Sequence, residues 1–350
     1  MLLMSNRPFI GARAEEVMIR RIVARLRKRG WVETITPYTG YGSTDQLRIL
    51  GRVVLTPRNP HTDLLRAADK FLSQRGWRNF MAVPIPLATV SVTSMDQTLE
   101  IQADRTGHID VRIKNPGLPA GLQHIDLRTP DSHLVQAPVH VVSDETDFGL
   151  ISDIDDTVIS TWLPRPFIAA WNSLVVTEQA REPVPGMARL YQRLLAEHPG
   201  APIIYVSTGA WNTYPFLQRF FKRHGLPLGP LLLTDWGPTN TGWFRSGPDH
   251  KRIALRELAR DLPKVRWVMF GDDGQHDPSL YSEFANLQPE HVRAIAIRQL
   301  TQAQQVLAHG TATVLHDDDH LQWQPDAPPE IRGADGDDLS PKLTEVLAQG

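Results

Sequence analysis

Phe148-Gly149-Leu150-Ile151-Ser152 runs straight into Asp153-Ile154-Asp155-Asp156-Thr157. A stretch suited to the inside of a sheet is followed at once by three carboxylates. Burying those carboxylates without partners is costly. The strand must therefore end where something offsets their charge, and a bound divalent cation with hard oxygen ligands is the leading candidate.

The chain downstream sets the fold around this strand. Residues 187–195 read as an amphipathic helix after Pro183 and Pro185-Gly186, and 203–206 as a buried strand. Residues 214–224 read as a helix closed by Gly225, 231–233 as a short strand and 251–260 as a helix. Two further strands are predicted over 265–270 and 292–297. Apolar strands alternating with helices predict an α/β domain with a parallel sheet covered on both faces.

Ligands of such sheets bind in the crevice beyond the carboxyl ends of the strands. Three of the predicted strands end in polar residues: Asp153 and Asp155, then Ser207 and Thr208, then Asp272 and Asp273 with Asp277 in the following loop. A helix opening with His250-Lys251 lies between the second and the third. In a parallel sheet these groups converge. A carboxylate can attack phosphorus in line, and a second one two residues on can move the proton. Hard oxygen ligands suit Mg²⁺, while a lysine and a hydroxyl can hold the phosphoryl oxygens.

Upstream the pattern is different. Val17, Ile19, Ile22, Val23 and Leu26 form an apolar stripe at helical spacing over residues 11–30, with Gly30 as a stop. Arg20, Arg21, Arg25, Arg27, Lys28 and Arg29 crowd the rest of that helix. It reads either as a helix docked on its own protein or as an interfacial helix drawn to anionic lipid. From Gly30 to about Val142 the period becomes alternating, with strands expected over 46–55, 88–93, 98–102, 108–114, 123–127 and 138–142. These suggest a small β-sandwich with an accessory role, in binding, positioning or structure. Beyond about residue 306 the chain turns acidic and rich in Gly, Pro and Asp, as a mobile tail would be. The expected division is thus 1–30, 31–145, 146–305 and 306–350.

The totals are those of an ordinary soluble protein: 350 residues, 41% hydrophobic, 22% charged, formal net charge -2. That balance argues against bulk nucleic-acid binding. The absence of cysteine excludes disulfides, thiolate metal sites and a cysteine nucleophile. No window approaches the roughly 20 apolar residues of a spanning helix, and Met1 to Ser5 is too short for a secretory core. A cytoplasmic protein, in peripheral contact with a membrane at most, is expected.

Together these residues carry a resemblance. Asp153 to Thr157 resembles the DxDxT first motif of the haloacid dehalogenase (HAD) superfamily. Ser207 resembles its second motif, Lys251 its third and Gly271-Asp272-Asp273 its fourth. Residues 148–298 resemble more narrowly the catalytic domain of the actin-patch-protein type of phosphatidate phosphatase. The signatures are Ser152 to Thr157, Phe220 to Pro230 and Gly271 to Pro278 followed by Tyr281. Tyr38 to Gly42 and Gly51-Arg52-Val53 are similar to the segment that precedes that domain in bacterial members. One departure lies in the second motif, Ser207-Thr208-Gly209-Ala210-Trp211, where the family is associated with Ser-Asn-Ser-Pro-Trp.

The resemblance implies a Rossmann-like HAD domain that hydrolyses a phosphomonoester with Mg²⁺ through an aspartyl-phosphate, with phosphatidate as substrate. Asp153 would be nucleophile and metal ligand. Asp155 would be the acid/base, its carbonyl also reaching the metal. Thr157, Ser207, Thr208 and Lys251 would bind phosphate. Asp272 would ligate the metal, with Asp273 or Asp277 completing the site. Another bulky phosphomonoester (a nucleic-acid 3′-phosphate or a phosphoprotein) and a non-catalytic phosphatidate-binding module are the rival readings. The retained Asp155 speaks against the last. The insertion before Met187 is too short for a large cap, so an open site is expected. Trp162 and Trp171 read as packing aromatics or as an apolar wall, His276 as a residue that orders its loop ahead of one that helps the substrate, and His316-Asp317-Asp318-Asp319-His320 as a solvated run ahead of a metal cluster.

Overall fold

The computed structural model describes residues 10–58, 82–160, 181–234, 247–274, 276–309 and 327–349. Trp162, Trp171 and the 316–320 cluster lie outside these residues. The described chain falls into two compact units that divide after Val141.

The first unit opens with helix α1 (Ile10–Lys28). Strands β1 (Trp31–Gly42) and β2 (Gln46–Pro57) form a long antiparallel hairpin, followed by a short β3 (Val83–Pro84). Five more strands follow: β4 (Thr89–Ser94), β5 (Gln97–Gln102), β6 (His108–Lys114), β7 (Gly121–Arg128) and β8 (Val135–Val141). All eight belong to one sheet of order β3-β2-β1-β8-β7-β4-β5, with β6 also paired to β2. The pairs are antiparallel except β1 with β8.

The sandwich expectation is corrected here. A single sheet curls around one core of Leu47, Ile49, Val53, Leu55, Val90, Ile109, Ile125 and Val139. The long β1 and β2 make this possible, because β2 pairs with β1 along one edge and with both β6 and β3 along the other. Strand β1 was not among those expected. Its buried positions do not alternate strictly with polar ones, since Tyr38, Gly40, Tyr41 and Gly42 are all buried at its end. Helix α1 rests on this core through Val23, Ile19 and Leu26.

The second unit is built on β9 (Phe148–Ser152), whose five residues are all buried, so that both of its faces are covered. A two-stranded ribbon follows, β10 (Ile159–Ser160) with β11 (Glu182–Pro183). Then come α2 (Met187–Glu197), β12 (Ile203–Ala210), α3 (Tyr214–His224), β13 (Leu231–Thr234), α4 (Gly247–Asp261) and β14 (Arg266–Asp272). The unit ends with α5 (Asp277–Leu287), β15 (Val292–Arg298), α6 (Gln302–His309), β16 (Glu330–Gly333) and α7 (Gly336–Gln349).

Six strands pair in parallel in the order β13-β12-β9-β14-β15-β16. The chain therefore starts in the middle, runs outward on one side and then on the other. The reversal falls between β9 and β14, the place at which ligands of such sheets bind. Helix ends follow their local sequence: Gly225, at φ 70°, closes α3 behind Lys222, Arg223 and His224.

The mobile tail is corrected for residues 330–349. Strand β16 pairs with β15, and Leu339 and Leu343 of α7 are fully buried. Each such burial contributes about 1.5–3 kcal/mol. The acidic run 335–338 of that segment is a helix start. Asp335 Oδ1 accepts hydrogen bonds from the backbone N–H of Asp337 and Asp338, both at 3.0 Å, and carboxylates in a first turn face the positive end of the helix dipole.

Candidate active site

Asp153 and Asp272 face each other across the strand reversal. Ser152 ends β9 opposite Phe270 of β14, and the N–H of Asp153 donates to the Phe270 carbonyl at 2.9 Å. Asp272 is the last residue of β14, and α5 begins at Asp277. Gly271 allows Asp277 to come this close, since a Cβ there would lie 2.7 Å from that of Asp277. Carboxylate oxygens of Asp153, Asp272 and Asp277 all lie within 4.8 Å of one another, and all three residues are buried. Lys251, from α4, reaches Asp153 at 2.7 Å and Asp277 at 2.5 Å.

The charges do not balance. Three buried carboxylates meet one buried ammonium. Burial, followed by the charges of Asp277 and Asp155, pushes the Asp153 carboxyl up to about 8 despite Lys251. Burial, with Asp277 and Asp153, likewise pushes Asp272 well above the carboxylate range. Burial works against the Lys251 ammonium, but Asp153 and Asp277 outweigh it and hold its pKa above the usual lysine value. Oδ2 of Asp272 and Oδ2 of Asp277 are buried with no hydrogen-bond partner. Orphaned carboxyl oxygens at close mutual range suit the hard oxygen coordination of a divalent cation, and their chemistry fits Mg²⁺.

The other predicted residues divide. Thr157 is buried, its hydroxyl 3.5 Å from Asp153 Oδ2. Ser207 is buried within β12, three residues before its end, its Oγ accepting from the Gly209 N–H at 3.0 Å. Thr208 is half-buried, and its carbonyl accepts from Thr234 Oγ1 at 2.8 Å. Asp155 is half-buried in the turn after Asp153, close enough to raise that residue's pKa, and stands outside the three-carboxylate cluster. Asp273 turns elsewhere: its Oδ1 accepts from the Leu300 N–H at 2.8 Å. Of the two acids left open by the sequence, Asp277 is the one beside Asp153 and Asp272. The carbonyl of His276 accepts from Ser279 Oγ at 2.9 Å at the start of α5.

Two arginines were missed. Arg298, at the end of β15, donates to the Asp156 carbonyl at 2.6 Å and to the Ala334 carbonyl at 3.1 Å. Its third contact is Gln304 Oε1 at 3.3 Å, and Gln304 in turn reaches Ser160 Oγ. Asp156 adopts φ 60°, a left-handed conformation that aspartate tolerates better than most residues. Arg298 thus clasps the turn that carries Asp155. Arg181 carries a charge that burial disfavours and that Asp155 and Asp156 partly restore. The first carries the same strand-end signal as the acids of the site; no sequence signal marked the second.

Fold and site together define a parallel α/β domain with a buried acidic centre at its strand reversal. Residues 148–299 match the family described as phosphatidate phosphatase APP1, catalytic domain. The chain is 25% identical over 201 residues to the phosphatidate phosphatase APP1 of Saccharomyces cerevisiae, covering 56% of this chain and 34% of that protein. It is 28% identical over 163 residues to an uncharacterized protein of Schizosaccharomyces pombe, covering 45% of this chain and 26% of the other. The chain thus spans about a third or less of the length of these relatives. A carbohydrate acetylesterase from Xanthomonas citri aligns over 80% of this chain and 74% of its own, at 10% identity and a TM-score of 0.27, too low to inform the fold.

Proposed function

We propose that residues 148–299 form a phosphatase of the HAD type, with a Rossmann-like sheet, that hydrolyses a phosphomonoester through Asp153. The observation that carries this reading is the buried group of Asp153, Lys251, Asp272 and Asp277 at the strand reversal, within a segment that matches a phosphatase catalytic domain. Phosphatidate, hydrolysed to diacylglycerol and phosphate, is the substrate favoured by the likeness to the yeast enzyme.

In the proposed reaction an Asp153 oxygen attacks phosphorus as the bond to the alcohol oxygen breaks. Asp155 gives its proton to the leaving alkoxide. Water, deprotonated by Asp155, then attacks the aspartyl-phosphate and releases inorganic phosphate and free Asp153. Lys251 holds Asp153 in place and offsets phosphoryl charge, while Thr157, Ser207 and Thr208 supply hydrogen bonds to the phosphoryl oxygens. Asp153, Asp272 and Asp277 would hold Mg²⁺, which when bound supplies the positive charge that one lysine cannot.

The test is hydrolysis of p-nitrophenyl phosphate. Asp153→Asn should abolish it, and unchanged turnover would remove the nucleophile assignment. EDTA should stop it and Mg²⁺ restore it. A side-by-side assay of phosphatidate in mixed micelles, lysophosphatidate, a 3′-phosphorylated oligonucleotide and a phosphopeptide identifies the substrate class; turnover of only the last two would overturn the lipid.

A further inference from the structure

Helix α1 has two faces. Ile19, Val23 and Leu26 pack on the core of the curled sheet. At 100° per residue, Met18, Arg21, Ile22, Arg25 and Lys28 fall within an arc of about 120° that does not include those three, and Arg29 follows in the turn after the helix. All six are exposed, Met18 at 56% and Ile22 at 37%. Arg27 lies outside the arc and is engaged with buried Glu33. The outer arc is therefore two exposed apolar side chains bordered by four cations, in a protein whose formal net charge is -2.

We propose that this arc docks the protein on an anionic lipid surface. The two halves of the arc fit the two layers of such a surface. Arg21, Arg25, Lys28 and Arg29 complement anionic headgroups, each contributing about a fivefold gain in partitioning at low salt. Met18 and Ile22 can enter the acyl boundary beneath. A nucleic acid or an acidic peptide would use the cations but leave the apolar pair in water. The proposal deepens the lipid-substrate reading and rests on it only for its purpose; the docking itself can be measured without catalysis.

The experiment uses the full chain carrying Asp153→Asn, with phosphatidylcholine vesicles with and without phosphatidylserine. Binding is expected only with the anionic lipid and should weaken steeply with salt. Replacing Arg21, Arg25, Lys28 and Arg29 together by Gln should lower partitioning by about a hundredfold or more while leaving p-nitrophenyl phosphate turnover of the otherwise wild-type protein intact. Because the chain has no cysteine, Ile22→Cys can carry a single polarity-sensitive dye, independent of how the fourfold variant folds. A blue shift on anionic vesicles supports docking through this arc. No shift, undiminished binding by the fourfold variant, or tighter binding to an oligonucleotide or polyglutamate overturns it. Docking that fails while p-nitrophenyl phosphate is still hydrolysed removes this surface and leaves the phosphatase standing.

Discussion

In the curled sheet, Arg48 meets Asp110 through two hydrogen bonds of 2.8 and 2.6 Å, and the Asp110 side chain stays 44% exposed. In the parallel sheet, Lys251 meets Asp153 and Asp277 with no side chain of the three more than 3% exposed, and Asp272 adds a further buried carboxylate. The first arrangement sets a carboxylate that water still reaches against a largely buried Arg48, with Arg112 adding to the positive charge. Burial works against Asp110, but the hydrogen bonds and charge of Arg48 outweigh it and hold its pKa below the usual value. The second leaves carboxylates in excess where water cannot reach, and the pKa values of Asp153 and Asp272 rise. A pair that only supports a fold can be neutral. The proposed site instead has carboxyls in excess of its lysine, as a site that takes up a cation would.

This contrast can be broken at three points. Lys251→Met removes the cation that pairs with Asp153 and Asp277 and should destabilise the metal-free second unit by about 3 kcal/mol at pH 8. Its unfolding transition in EDTA measures this, and a loss under about 1 kcal/mol would place the pair with ordinary surface bridges. Asp272→Asn should act in opposite directions in two conditions. Without metal it relieves repulsion and raises the melting temperature; with Mg²⁺ it removes the stabilisation that the wild type gains. Calorimetry with and without Mg²⁺ reads both, and a variant that still gains stability with Mg²⁺ contradicts the assigned ligand.

The same site sets a pH dependence. The folded pKa of Asp153 lies near 8, above its ordinary 3.8, so stability present below 3.8 is lost as pH rises toward 8 in metal-free protein. Mg²⁺ should reverse that trend. The smallest effect belongs to Arg48 and Asp110. Their double-mutant cycle should give under about 1 kcal/mol, since the carboxylate side chain is 44% exposed. The folded pKa here is depressed, so the contribution is present above 3.8 and lost as pH falls through the folded value.

Much of the site was legible because its residues stand at strand ends. Buried parallel strands read as continuous apolar runs, so the polar residues that stop them are conspicuous, as at Ser152-Asp153 and Gly271-Asp272. Long-range partners were not legible. Nothing local distinguishes Asp273 from Asp277; the choice follows from the start of α5, which turns Asp277 back over Gly271 while Asp273 caps the backbone at Leu300. Arg298 was missed for the same reason, since the carbonyl it clasps is that of Asp156, 142 positions away.

By itself, the sequence determined the alternation of strands and helices after Asp147, the carboxylate-rich end of β9 and the basic helix at the start, because each depends on residues adjacent in the chain. Tertiary structure alone decided that β1 and β2 curl the first sheet into one piece, that the acidic C-terminal segment starts a packed helix, and which acids share the site. Those outcomes depend on which buried surfaces and unpaired polar atoms meet, and residues far apart in the chain settle that only once they are packed together.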